Sequence, residues 1–140
     1  MAARAKAAQR LNVAERAALA VEILVTYVGV RWRLRRRDLP AVLTALRSPS
    51  RRLARWMPMA EDERGLSHAT TRVLRVLPGD ARCLTRSLVV LAMLARRGVA
   101  TTLVIAVRPE PTFAAHAWIE HAGRPLLPTE GFGHARLVEL

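Results

Sequence analysis

The chain has 140 residues, 51% of them hydrophobic, and a formal net charge of +12. Length and apolar content fit one folded domain, residues 1–140, with a core of its own, and exclude a disordered chain. One cysteine excludes an intramolecular disulfide framework and fits a reducing compartment, the cytoplasm, while four histidines without HxxxH or CxxC spacing give no basis for a metal site.

Arginine far outnumbers lysine, and alanine, leucine and valine are abundant. This is the bias of a GC-rich bacterial genome, which raises arginine with no functional demand. A solvated basic surface is therefore one reading of the charge; a surface that attracts an acidic partner is the other. Three Trp, two Phe and one Tyr, with no helix-turn-helix or aromatic nucleic-acid motif, argue against nucleic acid as that partner. The N-terminus lacks the uninterrupted apolar core of a secretory signal. The apolar stretch from Ala17 to Val30 contains Glu22, ends in a run of arginines and falls short of the ~20 apolar residues of a spanning helix. A buried helix is its first reading; a segment lying on a membrane surface is the second.

Asn12 can cap a helix from Val13 to about Arg31, with Leu19, Ile23, Tyr27 and Val30 at near-helical spacing. Asp38 and Pro40 start another helix, with Leu39, Val42, Leu43 and Leu46 on its apolar side; Ser48-Pro49-Ser50 ends it. A short basic helix over residues 51–57 is expected before Pro58. Acids at 61–63 suit a first turn, after which Leu66, Thr70, Val73, Leu74 and Leu77 form a buried side up to Pro78-Gly79. Asp80 is a candidate N-cap for the next helix and Gly98 its stop. Between them, Leu88 to Ala95 are eight consecutive apolar residues, the mark of a helix buried on all sides. The strands are expected at Thr101–Arg108, Phe113–His121, Arg124–Pro128 and Ala135–Leu140, with Ala122-Gly123 as a turn. The fold class is α+β: a helical part, 1–78, and a core of Cys-bearing helix and small antiparallel sheet, 79–140.

Cys83 falls in the first turn of the buried helix. Backbone N–H groups without intrahelical acceptors and the positive end of the helix dipole favour a thiolate there, and Arg82 and Arg86 act in the same direction. The N–H groups of Cys83 and Leu84 can also stabilise the oxyanion that forms when a thiolate attacks a carbonyl. Taken alone, a free cysteine is often simply buried, and a lone strand histidine is more often structural. His116 supplies a partner. On a strand it shares a face with Trp118 and Glu120, while His121 points the other way, so the two histidines do not form one metal site.

A helix opened by cysteine, then a strand, then a strand carrying His-Ala-Trp is the order of transglutaminase-like and papain-like cysteine enzymes. "CLTRSLVVLAMLARRG", "LVIAVRP" and "FAAHAWIEHAGRPLLP", from about Arg82 to Gly131, resemble the leader peptidases of bacterial lasso-peptide biosynthesis, compact members of the transglutaminase-like superfamily. The resemblance implies a cysteine endopeptidase, without cofactor, that removes the leader from a ribosomally made precursor, with Cys83 as nucleophile and His116 as base. It implies as partners the lasso precursor peptide, a separate leader-recognition protein and an ATP-dependent lasso cyclase. Two alternatives stay open: another transglutaminase-like acyl transfer, and a non-catalytic basic binding module.

The superfamily's third member, an Asp on the strand after His, is missing; Leu127 or Pro128 stands in its place. Glu120, four residues along the strand, is about 13 Å away at ~3.3 Å per residue. With a loop of Ala122-Gly123, Thr129 falls opposite His116; with Ala122 to Arg124, Glu130 does, and its longer side chain is the candidate third member. A Cys-His dyad aided by a backbone carbonyl is the alternative.

Overall fold

The computed structural model describes residues 11–48, 63–77, 83–129 and 136–140. Among the described residues, four helices, α1 (Val13–Arg36), α2 (Leu39–Arg47), α3 (Glu63–Arg75) and α4 (Cys83–Arg96), precede four strands, β1 (Thr102–Arg108), β2 (Ala114–His121), β3 (Arg124–Pro125) and β4 (Arg136–Glu139). The strands form one antiparallel sheet in the order β3-β2-β1-β4. This is the expected α+β class. The basic helix expected at 51–57 and the Asp80 cap lie outside the described residues.

Helix α1 begins in a complete capping box: the Asn12 side chain accepts from the Glu15 N–H, and the Glu15 carboxylate accepts from the Asn12 N–H. It runs five residues past the expected end. Arginine is a good helix former, and Arg33, Arg35 and Arg36 in the last turn complement the negative end of the dipole. Asp38 then caps α2, accepting from the Ala41 N–H, with the prolyl ring in the first turn where no N–H is needed.

Helix α4 is the element around which the others pack. It contacts α1, α2, α3 and the sheet, and Ser87 to Leu94 are all buried. A stretch apolar on every side is stable only when each side has a neighbour; burial of side chains such as Leu88, Leu91 and Leu94 stabilises by roughly 1.5–3 kcal/mol each. Gly98, with φ of 76°, ends the helix, and the Val99 N–H returns to the Leu94 carbonyl.

The acid inside the apolar stretch of α1 also finds its reason at this end of α4. Arg97 grips the Glu22 carboxylate with two N–H groups at 3.0 and 2.9 Å, and Arg96 adds a contact at 3.4 Å while donating to Thr26 Oγ1 at 2.8 Å. Burial draws the Arg96 guanidinium below its ordinary range, and Glu22 opposes that shift. Glu22 thus fixes α1 to α4 from within a mostly apolar interface. Among the described residues no helix is long and apolar enough to cross a membrane.

The turn between β2 and β3 is two residues long, Ala122 with φ of 50° and Gly123 with φ of 74°, and it sets Glu120 opposite Pro125 and His121 opposite Arg124. Both central residues are left-handed, as a type I′ hairpin requires. An alanine is strained there, since its Cβ crowds the following carbonyl.

Two expectations follow. Ala122→Asn, giving the favoured Asn-Gly pair, raises unfolding stability in urea by about 0.5–1 kcal/mol; a loss of stability would contradict the turn geometry. Glu22→Ala leaves two half-buried guanidinium groups without their carboxylate and lowers stability by about 2 kcal/mol. A change within ~0.5 kcal/mol, the ordinary cost at a surface position, would contradict the fork.

Candidate active site

The site lies where the first turn of α4 meets the β3-side edge of β2. Beyond the hairpin, β3 follows β2 only briefly: after the Glu120–Pro125 pair, the Leu126 N–H donates to the Ile119 carbonyl at 2.9 Å. Two residues further along, the Ala117 peptide groups on the same side of the strand meet helix side chains instead. The Ala117 N–H donates to Cys83 Sγ at 3.3 Å, and Ser87 Oγ donates to the Ala117 carbonyl at 3.1 Å. Cys83 and Ser87 are one helical turn apart on one face of α4, so a single face meets a single strand residue.

The residue before Ala117 is His116, which is only 7% exposed. Its Nε2 lies 2.7 Å from the carbonyl oxygen of Pro128. A carbonyl only accepts, so Nε2 carries a proton, and in the neutral ring the lone pair is on Nδ1. The ring is walled by Trp118, stacked alongside at 5.8 Å between centroids; the Trp118 indole is fully buried and donates to Glu120 Oε1 at 2.9 Å. Histidine, tryptophan and glutamate thus share one face of β2, as strand alternation requires.

The Pro128 carbonyl is held by its own chain. Leu127 is 6% exposed and belongs to the hydrophobic core. A leucine occupies the place where an acid was expected because that side chain points into the core, and the residue beyond it offers its backbone to the histidine. The observed hairpin is the two-residue loop, Ala122-Gly123, for which simple pairing puts Thr129 opposite His116. Glu130 itself lies outside the described residues, as does Arg82.

The expected N–H groups of Cys83 and Leu84 are in the first turn of α4, where the helix supplies no acceptor. His121 is away from the site: its Nδ1 lies 2.9 Å from the Ala100 carbonyl and its Nε2 is 3.7 Å from Glu63. Among the described residues no three His, Cys, Asp or Glu side chains are grouped to hold a metal ion.

Two groups at the candidate site escaped sequence reasoning. The Pro128 carbonyl is a backbone group and has no residue-type signature. Ser87 did have one: it is a hydroxyl placed four residues after Cys83, at the start of an otherwise apolar run.

The sequence matches the family model of the transglutaminase-like superfamily over residues 17–136. The match includes the helices as well as Cys83 and His116, and the chain belongs to that superfamily, whose members are typically cysteine peptidases and acyl transferases. No curated protein and no solved structure matches it.

Leu127→Ala should remove the anchor of the carbonyl. Denaturant unfolding should show a loss of about 2–3 kcal/mol, and the His116 ring resonances should shift. Unshifted ring resonances would mean that Leu127 does not hold the acceptor in place.

Proposed function

We propose that the protein is a cysteine endopeptidase that removes the leader peptide from a lasso-peptide precursor, with Cys83 as nucleophile and His116 as base and acid. The observation that carries the reading is the hydrogen bond from Ala117 N–H to Cys83 Sγ, which holds the chain's one thiol beside the strand residue that follows His116. Support for the particular substrate comes from the sequence, where the Cys helix and "AHAWIE…G" resemble lasso leader peptidases.

In this mechanism His116 Nδ1 takes the thiol proton while Nε2–H remains bonded to Pro128 O, which fixes the tautomer and ring plane. The thiolate attacks the scissile carbonyl. The N–H groups of Cys83 and Leu84 receive the oxyanion as the tetrahedral intermediate forms. The imidazolium gives its proton to the departing amine, leaving a thioester. His116 then draws a proton from water, which hydrolyses the thioester and restores the thiol. Pro128 O takes the orienting place of the missing Asp, so the catalytic unit is a Cys-His dyad rather than a triad completed by Glu130.

The precursor is presented by a separate leader-recognition protein, and the freed core passes to the ATP-dependent cyclase; an ATP-using partner and a thiol that must stay reduced both fit the cytoplasm. Charge offers these partners a surface: five arginines lie between Arg31 and Arg37, and an acidic leader or partner face is drawn to them.

Incubation of the chain with precursor and recognition protein, read by mass spectrometry, should yield separate leader and core. Cys83→Ala should lower the cleavage rate by about a thousand-fold or more, whereas Glu130→Gln should stay within about three-fold, as expected of a group outside the dyad. Undiminished cleavage by Cys83→Ala would overturn the mechanism, and a large loss in Glu130→Gln would restore a triad. Transfer of the acyl group to an added amine without hydrolysis would assign the same dyad to the other acyl chemistry of the superfamily.

A further inference from the structure

We infer that Ser87 is a positioning residue for the nucleophile: its hydroxyl holds the β2 backbone at Ala117 so that the Ala117 N–H is aimed at Cys83 Sγ and stabilises negative charge on the sulfur. The inference rests on the Cys83–His116 reading. Ser87 Oγ lies 2.7 Å from the Cys83 carbonyl and 3.1 Å from the Ala117 carbonyl, and the residue is fully buried. One hydroxyl proton shared between those two acceptors ties the nucleophile's own backbone to the strand that carries the base.

A helical serine ordinarily bonds only the carbonyl one turn back, which slightly weakens the helix. Here the same hydroxyl also serves a strand carbonyl that β3 does not pair. Buried peptide groups require partners, and in a stretch whose following seven residues are all apolar and buried only Ser87 can donate. The two hydrogen bonds at Ala117 are therefore coupled. The carbonyl and the N–H belong to adjoining peptide units joined at the Ala117 Cα, so when loss of the serine leaves the carbonyl without its donor, the strand shifts at that Cα and the N–H leaves the sulfur. A hydrogen bond to an ionised acceptor is among the stronger ones, so the loss falls on the thiolate rather than on the thiol.

Because Cys83 is the only cysteine, alkylation by iodoacetamide reads its thiolate directly, with no precursor peptide. At pH 6, Ser87→Ala should be alkylated about ten-fold more slowly than the unmodified chain. Ser87→Thr, which keeps the hydroxyl, should stay within about three-fold. Val42→Ala, a buried change in α2, serves as the control for lost stability alone and should keep the original rate. An alkylation rate in Ser87→Ala that is unchanged or faster, with a lowered melting temperature, would make Ser87 purely structural and overturn the inference. Amide hydrogen exchange of the unmodified chain tests the clamp however the variants fold: the Ala117 amide should be strongly protected, and fast exchange there would also overturn it. Failed precursor cleavage together with slowed alkylation in Ser87→Ala would sink the substrate assignment and leave the clamp standing.

Discussion

The β2 backbone at Ala117 is the constraint on which the site depends. A strand edge left by its neighbour after the Ile119–Leu126 hydrogen bond has polar groups that water does not reach, and the first turn of α4 supplies their partners from Cys83 and Ser87. This fixes the rotation of α4 and its height along β2 together. If the helix turned by one residue, different side chains would face Ala117; if it slid by one turn, Cys83 would leave the strand. The thiol stands beside the strand residue that follows His116, where buried backbone groups have to be satisfied.

The remainder of the fold keeps that junction in place. Helix α4 is enclosed by α1, α2, α3 and the sheet, so it has little freedom to shift. Its far end is held by the Glu22 fork to Arg96 and Arg97, a directional contact within an interface that is otherwise apolar packing. Packing alone tolerates sliding better than a bidentate ion pair does. The site end is set by hydrogen bonds to one strand residue and the opposite end by charge.

Much of this was legible from the sequence. The eight apolar residues after Ser87 declared a buried helix, the Asn12 and Asp38 caps announced two helix starts, and Ala122-Gly123 marked the hairpin. Periodicity placed His116, Trp118 and Glu120 on one face. It was weaker for the limits of α1, because a run of arginines reads as a charged terminus yet continues a helix well. Strand β2 alternates poorly because residues from His116 to Glu120 are buried on both faces. The partner of His116 Nε2 was the hardest to see. Acidic side chains are visible in a sequence and point to Glu120 and Glu130, whereas the group at 2.7 Å is a main-chain oxygen beside the buried Leu127.

In the proposed chemistry everything turns on which imidazole nitrogen is left to act as the base. Long-range nitrogen–proton correlation of the neutral His116 ring measures this directly. The neutral ring should carry its proton on Nε2 and its lone pair on Nδ1, and the Nδ1 resonance should move in Cys83→Ala. A neutral ring protonated on Nδ1, with no response to loss of the thiol, would contradict the Pro128 hydrogen bond and the dyad built on it.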